Sequence, residues 1–105
     1  MSGNILNELT QEIRRFADAR NWGQFHTPKN LAMAIAGEAG ELAAEFQWLT
    51  AEESMKEGLT ADQKKSIELE IADVQIYLLR MADVLGVDIA EVVREKIAIN
   101  SNRFK

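Results

Sequence analysis

An all-α fold, with a four-helix-bundle-like subunit, is predicted by three observations. Six Gly and one Pro in 105 residues leave few breaks in the chain. Apolar residues recur at helical spacing over long segments. The segments also open or close on recognisable capping residues. The length suits a single domain, residues 1–105, with no room for a second core.

The first helix is expected from roughly Asn4 to Arg20, where Ile5, Leu9, Ile13 and Phe16 make one apolar stripe. The loop 21–26 that follows is unusually aromatic, with Trp22, Phe25 and the only His, His26. Thr27-Pro28 reads as an N-cap followed by Pro at the first helical position. The second helix should then reach about Leu49. It holds Gly37 and Gly40 in its interior, each costing about 1 kcal/mol relative to Ala. That cost points to close approach of another backbone or a ligand, with a local helix break as the alternative. Residues 50–59 are polar and form a loop. Thr60 and Gln63 make a capping box for a third helix that runs to Leu85 and stops at Gly86. Asp88 with Glu91 opens a fourth, ending near Asn100.

The third helix carries two apolar stripes. Ile67, Ile71, Val74, Leu78, Met81 and Leu85 form one, and Leu69, Ile76 and Leu79 form another, nearly opposite. Such a helix is buried on two sides. One chain of this length can scarcely cover both, so assembly into a homo-oligomer is expected. Glu70, Asp73 and Tyr77 fall together in the gap between the stripes, where acidic groups are expensive to desolvate without a counter-ion.

Composition excludes several functions. No Cys is present, so disulfides and thiolate metal sites are absent. A single His rules out multi-His zinc sites and the Glu-x-x-His sets of di-iron bundles. The net charge of −5 argues against binding polymeric nucleic acid. No apolar run approaches the ~20 residues of a membrane span, and no signal-peptide pattern opens the chain. The expectation is a cytoplasmic protein with no membrane partner.

The chemistry is carried by carboxylates. Glu38 and Glu41 make one i, i+3 pair, and Glu70 and Asp73 make a second. Residues three apart share a helix face, so each pair can aim two carboxylates at one point. Two such helices side by side would form an oxygen-only cage, which suits hard cations such as Mg²⁺, with Mn²⁺ as a substitute. An ordinary solvated face is the plain alternative for any one pair. Against it, no Lys or Arg lies within four residues of Glu38 or Glu41 to offset their repulsion. Glu38, Glu41 and Glu45 also occupy one sector of about 60°, bordering the apolar sector of Leu31, Ile35, Leu42 and Leu49.

The aromatic residues point to a base. A loop carrying Trp22, Phe25 and His26 builds a flat slot, and His26 or Gln24 can read a base edge. Trp48 lies near the end of the second helix. On a continued fourth helix Lys96, Asn100 and Arg103 share a face, which suits phosphate, although a basic helix C-terminus also compensates the helix dipole.

These residues together resemble the all-α nucleoside triphosphate pyrophosphatases of the MazG type, and most of all the dCTP pyrophosphatase branch. The resemblance runs from about Phe16 to Phe104. It rests on Trp22-Gly23-Gln24-Phe25-His26, on 37–42 with Phe46-Gln47-Trp48, on 70–74 with Tyr77-Leu78, and on Lys96, Asn100 and Arg103. It implies that Glu38, Glu41, Glu70 and Asp73 bind Mg²⁺. Trp22, Gly23, Gln24, Phe25, His26, Trp48 and Tyr77 would line the base and sugar pocket. Lys96, Asn100 and Arg103 would act on phosphate. The implied reaction splits the α–β phosphoanhydride into a nucleoside monophosphate and pyrophosphate, in a homodimer or homotetramer. Gly23 and Ile13 depart from close relatives at positions that touch base or sugar, so the choice of nucleotide stays open.

The expected mechanism is metal-assisted in-line hydrolysis, with Glu41 or Glu45 orienting or deprotonating the attacking water. The expected role is removal of surplus or modified dNTPs. A non-catalytic helical assembly module is the rival of another class. A related-branch pyrophosphatase acting on dUTP or phosphoribosyl-ATP is the nearer one.

Overall fold

The computed structural model describes residues 4–104. Four α-helices and no strand are found among them: α1 (Ile5–Ala19), α2 (Pro28–Ala44), α3 (Ala61–Leu85) and α4 (Ile89–Arg103). The fold is therefore all-α, as expected.

The helix starts follow from short polar side chains. At α1, Asn4 accepts from the Asn7 amide at 3.0 Å. At α3 the capping box closes in both directions. The Thr60 amide donates to Gln63 Oε1 at 2.9 Å, and the Gln63 amide donates to Thr60 Oγ1 at 3.1 Å. At α4, Asp88 accepts from the Glu91 amide at 3.1 Å. Each bond satisfies a donor that the first helical turn would otherwise leave open. Gly86 ends α3 with φ of +70°, the left-handed conformation that Gly adopts without steric cost.

One expectation about α2 is corrected. It ends at Ala44, not near Leu49. The Glu45 amide is shared between the Glu41 and Leu42 carbonyls at 3.3 and 3.2 Å. The amides of Phe46, Gln47 and Leu49 then bond three residues back. The winding tightens into successive turns, so Trp48 stands outside the helix. Gly37 and Gly40 do not break α2, and beyond their own helix turn a Cβ at either would meet no other group of this chain within 4 Å. The 50–59 connection is more ordered than a plain polar loop. Thr50 and Glu53 bond reciprocally at 2.8 and 3.1 Å, and a 3-10 turn follows at Lys56–Gly58.

The chain forms two compact units. One holds the chain through Pro28 and from Leu79 onward, and the other is Lys29–Leu78. In the first, Ala17, Leu79 and Ala82 are buried, together with the charged Arg80. In the second, Leu31 and Ile67 are buried. Much of the apolar surface of α3 is left uncovered by the chain itself, including Leu69, Ile71, Ile76 and Leu85.

An ion pair stabilises the first unit. Arg14 grips Asp83 with two bonds, Nε to Oδ2 at 2.8 Å and Nη2 to Oδ1 at 2.6 Å. The Arg14 hydrogen bond holds the Asp83 carboxyl below its ordinary value; burial opposes this, and the Arg14 and Arg80 charges reinforce it. A depressed carboxylate stabilises the fold above its unfolded value, about 3.9. That stability is lost as pH falls through the folded value. Asp83→Asn is therefore expected to lower the Tm at pH 7, with the gap to the native chain closing as pH falls toward 3. Parallel thermal melts across that range check it. A gap independent of pH would show that the pair contributes through shape and not charge.

Candidate functional site

Helices α2 and α3 bring three of the four predicted carboxylates together. One oxygen each from Glu38, Glu41 and Glu70 lies within 4.8 Å of the other two. The spacing explains the grouping: Glu38 and Glu41 project from one face of α2, one helical turn apart. Asp73, one turn beyond Glu70 on α3, stands outside this mutual set. It is still close enough for its charge to act on both Glu38 and Glu70.

The cluster is electrostatically unsatisfied. Among the described residues, none of these four carboxylates makes an ion pair with Lys, Arg or His. Glu38 is pushed above the ordinary carboxylate value, first by desolvation and then by the charges of Glu41, Asp73 and Glu70. Glu70 is pushed up in the same way, by desolvation and then by Glu41, Asp73 and Glu45. Glu70 Oε2 is buried and has no hydrogen-bond partner. A buried acceptor normally finds a donor, and an orphaned carboxylate oxygen among like charges is what a hard cation would satisfy. The donor set is all oxygen, so the residues fit a divalent ion of that class.

Glu45 has a different setting. It lies just past the end of α2, half-buried, and its Oε2 accepts from the Ser66 hydroxyl at 2.6 Å. Ser66 was not legible in the sequence as a partner of Glu45. Its only signal was a small hydroxyl one helical turn before Glu70.

Trp48 and Tyr77 belong to the same unit, Trp48 being 86% exposed and Tyr77 half-buried on α3. The aromatic loop belongs to the other. It winds as a 3-10 turn, Trp22–Phe25, entered through Asn21 in the left-handed region with φ of 56°. Trp22 packs edge-on against Phe16 at 5.5 Å and tilts over His26 at 6.1 Å. Arg20 stacks on the Phe16 ring at 3.5 Å. The Gln24 side chain donates through Nε2 to the Asn21 carbonyl at 3.2 Å, so in this state it serves the loop itself. Gly23 is exposed at the tip. His26 Nδ1 accepts from Arg80 Nε at 2.9 Å. Arg80 too was not legible in the sequence as a partner of His26, although a lone Arg between Leu79 and Met81 on an apolar helix face was its signal. Lys96, Asn100 and Arg103 all lie on α4, which runs on to Arg103.

The chain is similar to known proteins in both sequence and fold. Residues 33–105 match the MazG-like family. The chain is 41% identical over 98 residues to human dCTP pyrophosphatase 1, an alignment covering 90% of this chain and 58% of that protein. It thus spans little more than half the length of that relative. It is 47% identical over 45 residues to a dATP/dGTP diphosphohydrolase of cyanophage S-2L, 43% of each chain. A crystal structure of a pyrophosphatase from Archaeoglobus fulgidus superposes with a TM-score of 0.87 at 40% identity, covering 96% of this chain and 93% of that one. The acidic faces of α2 and α3 both fall within the matched segment, and the chain belongs to the MazG-like family.

Proposed function

We propose that residues 1–105 act as one Mg²⁺-dependent nucleoside triphosphate pyrophosphohydrolase domain. The bond cut is the α–β phosphoanhydride of a (d)NTP, dCTP or a related or modified dNTP, giving NMP and pyrophosphate. The observation that carries this reading is the unpaired carboxylate cluster, with its orphaned Glu70 oxygen, in a chain of this family. The dCTP pyrophosphatase relatives support the substrate class.

Glu38, Glu41, Glu70 and Asp73 hold the cation in this reading, with Mn²⁺ as a substitute. When bound, it supplies positive charge against the triphosphate and acidity to water. Glu41 and Glu45 orient the attacking water or take its proton. Ser66 leaves Glu45 one oxygen for that task and fixes its direction. Lys96 and Arg103 stabilise charge on the departing pyrophosphate, with Asn100 beside them on α4. Trp22, Gly23, Gln24, Phe25, His26, Trp48 and Tyr77 bind base and sugar. The uncovered apolar residues of α3 support self-association as a homodimer or homotetramer. Among the described residues no helix is long and apolar enough to cross a membrane, and we place the protein in the cytoplasm cleaning nucleotide pools.

A substrate panel tests the reading. With Mg²⁺, dCTP, 5-modified dCTP, dUTP, dATP, dGTP and phosphoribosyl-ATP are assayed for pyrophosphate against orthophosphate. Pyrophosphate and NMP in equal amounts are expected, with a preference among the deoxynucleotides. Orthophosphate as first product would overturn the proposed bond of cleavage.

A further inference from the structure

Arg80 is the one charged residue buried among the described residues, at 7% exposure. It is not left unpaired. Its Nη1 lies 3.5 Å from Asp83 Oδ2, and Asp83 is itself held by Arg14 from α1. This arrangement leaves Nε aimed at the imidazole of His26, 2.9 Å from Nδ1. The His26 amide is also fixed, donating to the Gly23 carbonyl at 3.1 Å, and Trp22 tilts over the ring.

An arginine is always protonated and offers only donors. A ring nitrogen facing it must therefore be the bare acceptor. In a neutral imidazole the hydrogen then sits on the other nitrogen. We propose that Arg80 is a positioning residue that holds His26 as the Nε2–H tautomer. The outer edge of the ring can then only donate, to an acceptor atom on the edge of the bound base. The proposal rests on the reading in which the 22–26 loop faces the base, and it goes beyond it by fixing the direction of the hydrogen bond. A base presenting a carbonyl or imine nitrogen there is accepted, and one presenting an N–H is refused. Discrimination of this sort is strong because the mismatched pair leaves a donor unpaired.

The ring's charge is set by the same neighbours. Burial first and the Arg80 charge second hold His26 below its ordinary value. Arg80, Asp83 and Arg14 are the charged groups of this network. Two of the three are cations, and neither arginine changes charge in the accessible pH range.

The chain has one His, so nitrogen NMR of ¹⁵N-His-labelled protein reads this ring without assignment. The native chain is expected to show a bare Nδ1 and a protonated Nε2, persisting as pH falls past about 6.5, the ordinary imidazole value. Arg80→Met keeps the buried volume and leaves Arg14 on Asp83. It is expected to give mixed tautomers titrating near that ordinary value. In turnover its KM for the preferred dNTP should rise about twofold, the cost of drawing one tautomer from an even mixture, with kcat unchanged. Arg80→Lys restores a charged donor and should recover most of the KM. A native ring with Nδ1–H or mixed tautomers overturns the proposal and needs no variant to fold. So does an Arg80→Met protein that keeps the single tautomer. A mixed ring in an active enzyme overturns the role of Arg80 alone. A locked ring in a chain that hydrolyses no nucleotide overturns the substrate contact together with the pyrophosphatase reading.

Discussion

Replacing Glu70 by Gln is expected to reduce pyrophosphate release on the order of 1,000-fold, since outer partners of a metal ligand alone are worth ~10–100-fold. Glu70 holds the orphaned buried oxygen and sits among the carboxylates of Glu38 and Glu41. The amide is neutral and turns a donor toward a cation, so it weakens the site twice. Gln matches Glu in size and in helix propensity, so α3 should keep its helix. Removing one of several mutually repelling charges also relieves the cluster. The variant should therefore melt no lower than the native chain in chelator. Activity and melting together are the measurement. Activity within tenfold of native would place the chemistry elsewhere, and a collapse in Tm would show that Glu70 supports the fold itself.

Mg²⁺ is expected to raise the Tm at pH 7 by about 10 °C at a hundredfold excess over its Kd. The pH dependence should reverse between the two states. Glu38 and Glu70 have folded values raised above their unfolded ones. Without metal, their contribution to stability is fully present below the unfolded carboxylate value, about 4.3. It is lost as pH rises through the folded values. Metal binding requires the deprotonated ligands, so the shift caused by Mg²⁺ grows in the same direction. Melts in chelator and in Mg²⁺, from pH 4 to 8, should therefore diverge as pH rises. A Tm indifferent to Mg²⁺ throughout would favour an assembly module over an enzyme.

Helix starts were legible in the sequence because a cap is a local matter. Thr60 and Gln63, or Asp88 and Glu91, lie three residues apart and need nothing else to meet. The carboxylate pairs were legible for the same reason, since i, i+3 spacing alone sets their common face. Helical periodicity was less able to find the end of α2, which depends on amides shifting from the fourth carbonyl back to the third over 45–49. No residue there forbids a helix, so propensity had nothing to report. Long-range partners were the least visible. Glu45 and Ser66 meet across 21 positions, and His26 and Arg80 across 54. Each side chain looks ordinary on its own helix or loop, and only the tertiary fold makes them a pair. Gly37 and Gly40 are a different case. Their helix cost was real, yet no group of the chain stands against them.

The two tryptophans give the molecule an optical property that its chemistry does not require. Each compact unit contains one indole: Trp22 among Phe16, Arg20 and His26, and Trp48 alone in solvent at 86% exposure. An indole in water emits at longer wavelength and is open to collisional quenchers such as iodide, and Trp22, at 41% exposure, is the less open of the two. The native fluorescence is thus a sum of two separable signals, one per unit. Single Trp→Phe variants would divide it, and loosening of either unit could be followed in an unlabelled chain. The wavelength of Trp48 would shift to the blue if a second copy of the chain, or a stacked base, came to cover it.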